Sequence, residues 1–176
     1  RPASRQRTWT TAEAEVELLK TYAPQMDGLR YFAIGGNHDM SLITNSGMDP
    51  IRMLCDARPD FAYGGYTLWS IRLTDKSYIR LVHPRGGASY ARSYKLQKRM
   101  EQMAFEALRQ AMVEDQPPMT SILVMGHYHI FNFDPSPPMH GMLAGCFQGQ
   151  TSLLKELGLT PGIGGWIIEV KFEKYG

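Results

Sequence analysis

No uninterrupted apolar run in the 176 residues exceeds four, as in Ile122-Leu123-Val124-Met125, far short of the roughly 20 that cross a bilayer as a helix. A transmembrane helix is excluded, and no membrane partner is expected. Cysteine is scarce. Cys55 and Cys146 are too few for a disulfide framework and too far apart for a CxxC metal or redox pair. Reduced thiols in a cytoplasmic setting follow, each side chain serving as a small buried hydrophobe. An excess of one charge is also missing. Nineteen Lys+Arg against seventeen Asp+Glu leave +2, so net charge alone points to neither nucleic acid nor membrane. Arg1–Arg7 is basic, but Thr8–Glu17 brings no apolar stretch behind it, and no secretory signal peptide is expected there. Internal repeats and low-complexity tracts are lacking too.

What is present suits a single globular domain, with 43% hydrophobic and 11% aromatic residues to build a core. Residues 1–10 read as a flexible basic lead-in, and 11–176 as part of one domain. Thr11 is placed to cap a helix whose apolar positions recur to Tyr22, before Pro24 and Gly28. Leu29–Ile34 predicts a buried strand ending in a sharp loop at Gly35-Gly36; Tyr78–Val82 and Ser121–Met125 predict two more. Tyr66–Leu73 predicts another strand, and Trp166–Phe172 a final one. Between Ala91 and Glu114, Met100, Met103, Ala104, Ala107, Leu108 and Ala111 fall on one helical face, a Met-rich stripe assigned to the core.

Three of the strand-like runs are followed at once by residues that bind metals or phosphate. Gly36-Asn37-His38-Asp39 follows the first, His83 the second, and Gly126-His127-Tyr128-His129 the third. Ligands gather beyond the carboxyl ends of strands in open α/β sheets, so three adjacent strands would deliver these side chains to one point. A lone histidine after a strand is ordinarily a hydrogen-bonded surface or core residue. Here four of the five histidines share that position, and coincidence explains the pattern poorly. Glycine before a histidine-bearing turn allows approaches that a Cβ would block. His140, in a Pro-rich loop, is assigned no role.

In this order, Gly-Asn-His-Asp, a histidine after a strand and Gly-His-Xaa-His resemble the calcineurin-like metallophosphoesterase superfamily. Ala144–Gln150 and Gly164-Gly165-Trp166 look like its bacterial, archaeal and phage branch. The resemblance implies a four-layer α-β-β-α sandwich of two mixed sheets and a phosphoesterase, hydrolysing a phosphodiester or phosphomonoester with water activated between two divalent ions, Mn, Fe or Zn. Asn37, His83 and His127 would ligate one ion and His129 the other. His38 would be the catalytic histidine, oriented by Asp39, and Arg85 would bind substrate. The family's Asp-Xaa-His and Gly-Asp-Xaa-Xaa-Asp turns have no counterpart, since no Asp precedes Asp27. The expectation is therefore the carboxyl-terminal portion of the fold, inactive alone, holding one ion or none, with an incomplete sheet whose exposed edge invites self-association or pairing with another chain.

Substrate class is less legible. Lys76, Arg80, Arg85, Arg92, Lys95, Lys98 and Arg99 form a block without acidic residues, interleaved with Tyr78, Tyr90 and Tyr94. That composition makes nucleic acid a candidate substrate and a nuclease a candidate activity; it also fits the solvated face of an amphipathic helix. A non-catalytic scaffold of the same fold and a structural metal site in a binding module are the alternatives.

Overall fold

The computed structural model describes residues 11–87, 89–114 and 119–172, a mixed α/β arrangement of two sheets and five helices. The lead-in at 1–10 lies outside the described residues. Helix α1 (Ala12–Tyr22) starts where the Thr11 hydroxyl accepts from the Ala14 N–H, 3.2 Å, and it buries Ala12 and Val16. Among the described residues no helix is long and apolar enough to cross a membrane.

Strand β1 (Tyr31–Gly35) runs parallel to β2 (Phe61–Tyr66) in a two-stranded sheet. Two helices that the sequence pattern did not predict fill the connection, α2 (Asn37–Ser46) and α3 (Pro50–Ala57). Capping, and not apolar periodicity, starts both. The Asp39 carboxylate accepts from the Gly36 N–H at 2.7 Å, and Asp49 accepts from Arg52 N–H at 2.9 Å with Pro50 at the first helical position. Asp49 also accepts from the Tyr63 and Tyr66 hydroxyls, both at 2.7 Å, which ties α3 to β2.

The larger sheet has the order β3-β4-β5-β7-β6. Its members are β3 (Leu68–Thr74), β4 (Ser77–Val82), β5 (Met119–Met125), β6 (Asn132–Asp134) and β7 (His140–Leu143). β4, β5 and β7 are parallel, flanked by antiparallel partners at either edge. Helix α4 (Tyr94–Ala111) packs Leu96, Met100 and Met103 onto Val82, Leu123, Met125 and Leu143, the dry core of the molecule. A short helix α5 (Ser152–Glu156) follows the sheet.

Four expectations change. The strand predicted at Tyr66–Leu73 is two strands, broken at Thr67 with φ 68°. Trp166–Phe172 forms no regular element and joins neither sheet. The Trp166 indole donates to the Leu143 carbonyl at 2.8 Å, and Ile168, Val170 and Phe172 lie against Ile122 and Met142 around a cavity of about 500 Å³. A β-rich run forms a strand only where free backbone groups run alongside it, and this one meets side chains on a sheet face. The Met stripe of α4 is buried at Met100 and Met103, while Leu108 and Ala111 are exposed. Cys55 and Cys146 are half-buried, not enclosed.

Candidate active site

The histidine-bearing turns meet at one rim, although their strands belong to two sheets. Thr67, at the break between β2 and β3, is the link. Its N–H donates to Gly35 O at the end of β1, 3.2 Å, and its carbonyl accepts from His83 N–H at the end of β4, 2.8 Å. The ladder continues as Gly126 N–H donates to Val82 O and Ala144 N–H to Met125 O, 3.0 and 2.8 Å. Backbone hydrogen bonds thus align the ends of β1, β4, β5 and β7.

His83 touches both Asn37 and His127. His83 Nε2 lies 2.9 Å from Asn37 Oδ1 and 3.1 Å from His127 Nδ1, and the two rings meet edge to face with centroids 4.9 Å apart. Gly36 is needed for this. A Cβ there would come within 2.5 Å of His83 Cε1. Gly126 has no such role, because a Cβ would stand 3.6 Å from His83 Nδ1 in ordinary contact. The unusual backbone falls on the histidines themselves, with φ 79° at His127 and 56° at His129. Left-handed φ in a residue bearing a Cβ stores strain of about 1–3 kcal/mol and concentrates at functional sites.

His127 Nε2 is 2.7 Å from the Gly86 carbonyl. A carbonyl only accepts, so that nitrogen carries a proton, and the tautomer this selects turns its Nδ1 lone pair toward His83. His129 Nδ1 is buried without a hydrogen-bond partner. His38, exposed in the first turn of α2, is near enough that its charge acts on both His83 and His129. Asp39 engages the Gly36 N–H and faces His83 electrostatically. Burial, reinforced by the neighbouring His127, His38 and His129, pulls His83 below the usual histidine range against the opposing pull of Asp39. Burial, with His127 and His38, does the same to His129. Both rings are therefore held neutral near pH 7, the form that donates a lone pair.

Arg85 lines two cavities that flank His83, one of about 150 Å³ shared with Gly36, Asn37 and Met40, the other of about 540 Å³ reaching α4. His140 is remote in role, stacked on Phe133 with centroids 6.1 Å apart. Thr67 and the Gly86 carbonyl contribute through backbone atoms, which carry no side-chain signal in a sequence. The break at Thr67 had one available clue, the preceding Gly64-Gly65.

A divalent ion fits this donor set in part. Donors held about 2.1 Å from an ion at right angles stand about 3 Å apart, the spacing seen here, which is also that of a hydrogen bond. The amide oxygen and two imidazoles are intermediate ligands, and the unpartnered His129 nitrogen adds a further donor. Among the described residues, however, no three His, Cys, Asp or Glu side chains are grouped to hold a metal. The set is short of a carboxylate. Compared with models of protein families, with curated proteins and with solved structures, the chain finds no match.

Proposed function

We propose that the chain is the carboxyl-terminal part of a metal-dependent phosphoesterase of the calcineurin-like type, its two sheets belonging to that family's α-β-β-α sandwich. The observation that carries this is the meeting of Asn37 Oδ1, His83 Nε2 and His127 Nδ1 at 2.9 and 3.1 Å from residues 37, 83 and 127. Asn37, His83 and His127 would hold one Mn, Fe or Zn ion and His129 a second, the missing ligands coming from carboxylates outside the motifs of this chain. Such a pair of ions supplies neutralisation of phosphate charge and a lowered pKa for bound water.

The chain's own residues do the rest. The N-terminus of α2 favours an anionic phosphoryl group through its free N–H groups and dipole. His38, in that first turn, gives a ring proton to the leaving oxygen. Asp39 holds the turn by capping it, which fixes where His38 starts. Arg85 grips a phosphate oxygen with its guanidinium fork.

Titration of the protein with Mn²⁺, followed by imidazole NMR, tests the ligands, and hydrolysis of a chromogenic phosphodiester tests the chemistry. Paramagnetic broadening of His83, His127 and His129 is expected, with His38→Ala keeping the broadening and abolishing any turnover that the Mn²⁺-loaded protein shows. Unbroadened histidines at millimolar Mn²⁺ sink the proposal. A second reading, a non-catalytic docking subunit of the same fold, draws on the finding that no three His, Cys, Asp or Glu side chains group to hold a metal among the described residues; metal binding without turnover when a chain bearing the missing motifs is supplied would favour it.

A further inference from the structure

The larger cavity beside His83 is charged in a way that ester hydrolysis alone does not require. It occupies about 540 Å³ between the start of β3, the turn after β4 and the first turns of α4. Arg85, Lys95, Lys98 and Arg99 line it, and no carboxylate does. Lys95, Lys98 and Arg99 stand at i, i+3 and i+4 of α4, one above another on a single face. Arg85 comes from a separate segment, so the cations surround a space instead of spreading over a solvated helix surface. Like charges gathered around one space favour an anion within it.

Arg99 supplies an independent sign. Its Nε–H is buried without an acceptor, a donor awaiting a partner. The base of the cavity is apolar, formed by Leu68, Val82 and Met125. Tyr94, half exposed, has the ammonium of the lining residue Lys98 5.9 Å from its ring centre. Inorganic phosphate or pyrophosphate would use the cations and leave the apolar base wet. A phosphorylated peptide brings a single phosphate to four cations. Successive phosphates joined by flat apolar groups satisfy both surfaces, with the half-exposed Tyr94 ring as a stacking platform. The volume is that of a small-ligand site, so bases enter unpaired.

We propose that this cavity holds the nucleotide flanking the scissile bond of a single nucleic-acid strand. Its phosphates lie on Arg85, Lys95, Lys98 and Arg99, and its base rests on Leu68. Cleavage of the neighbouring bond rests on the phosphoesterase proposal; the binding rests on the cavity alone.

Fluorescence anisotropy of a labelled oligothymidylate of about ten nucleotides, in EDTA and over a range of salt, tests it. Lys95→Gln with Lys98→Gln should weaken binding roughly tenfold and flatten the log-affinity against log-salt slope by about 1.4, some 0.7 for each phosphate of a single strand that is no longer neutralised. Lys95→Arg with Lys98→Arg should retain both affinity and slope, and circular dichroism should show all variants folded. An unchanged slope in the glutamine variant, or preference for a phosphopeptide over the oligonucleotide at equal concentration, overturns the proposal. Failure of Mn²⁺ to broaden the histidines while the oligonucleotide still binds counts against hydrolysis alone. Broadening without salt-sensitive oligonucleotide binding counts against this inference alone.

Discussion

Leu123 is completely buried between the five-stranded sheet and α4, whereas His127, just beyond the end of the same strand, stands at φ 79° against the His83 ring and the Gly86 carbonyl. The first residue satisfies every local rule: apolar, in a strand, packed at close density. The second breaks several. Histidines crowd one another there, two of them hold left-handed backbone, and one ring nitrogen is buried unpartnered. Sites that bind or react are commonly less stable than the scaffold behind them, because the geometry that suits a ligand does not suit an empty fold. The core therefore stabilises the molecule while the rim draws on that stability.

The largest expected effect lies in the core. Leu123→Ala should lower the unfolding free energy by about 2–5 kcal/mol, the range for a large-to-small change at a site that cannot collapse, read from denaturant midpoints at constant slope. A loss below about 1 kcal/mol would mean that the core is looser than its burial indicates.

At the rim the sign reverses. His129→Gly removes a strained φ and an unpartnered buried nitrogen, and it should raise the unfolding free energy of the metal-free protein by up to about 1 kcal/mol. The same change should weaken binding of the second ion. Destabilisation approaching that of Leu123→Ala would erase the distinction between the two regions.

The smallest effect is a pH dependence confined to the rim. His83 and His129 are held below the usual histidine value in the fold, and the unfolded chain takes up their protons at about pH 6.5. Stability is then complete above about pH 6.5 and declines as the pH falls from there through the lowered folded values, because the unfolded chain binds more protons. Thermal melts of metal-free protein between about pH 8 and 5 should show this decline, reduced in His129→Gly. Equal slopes in the two proteins would remove His129 from the account.

Much of the scaffold can be read along the chain. Tyr78–Val82 and Ser121–Met125 coincide closely with β4 and β5, and Thr11 and Pro24 bracket α1. These elements are governed by side-chain periodicity and by caps within a few residues. α2 escapes such reading because its apolar positions are too sparse to form a stripe, and α3 because its eight residues, apolar at Ile51, Met53, Leu54, Cys55 and Ala57, are too few for a helical period to show; single carboxylates at Asp39 and Asp49 start both. Trp166–Phe172 is misread for the converse reason. Its composition is that of a strand, but pairing depends on which backbone lies beside it.

The site divides along the same line. Residue identity and order, Asn37-His38-Asp39, His83 and His127-Tyr128-His129, are properties of the chain, since the spacing after each strand is local. That β1 lies in a different sheet from β4 and β5, and that Thr67 nevertheless draws their ends together, is decided by hydrogen bonds between residues far apart in sequence, Gly35 with Thr67 and Thr67 with His83. So are the Gly86 carbonyl that fixes the His127 tautomer and the separation of Arg85 from Lys95, Lys98 and Arg99 across one cavity. Local preferences act over a turn or two of chain, while contacts across the fold depend on how whole elements pack, and no short stretch of sequence contains that information.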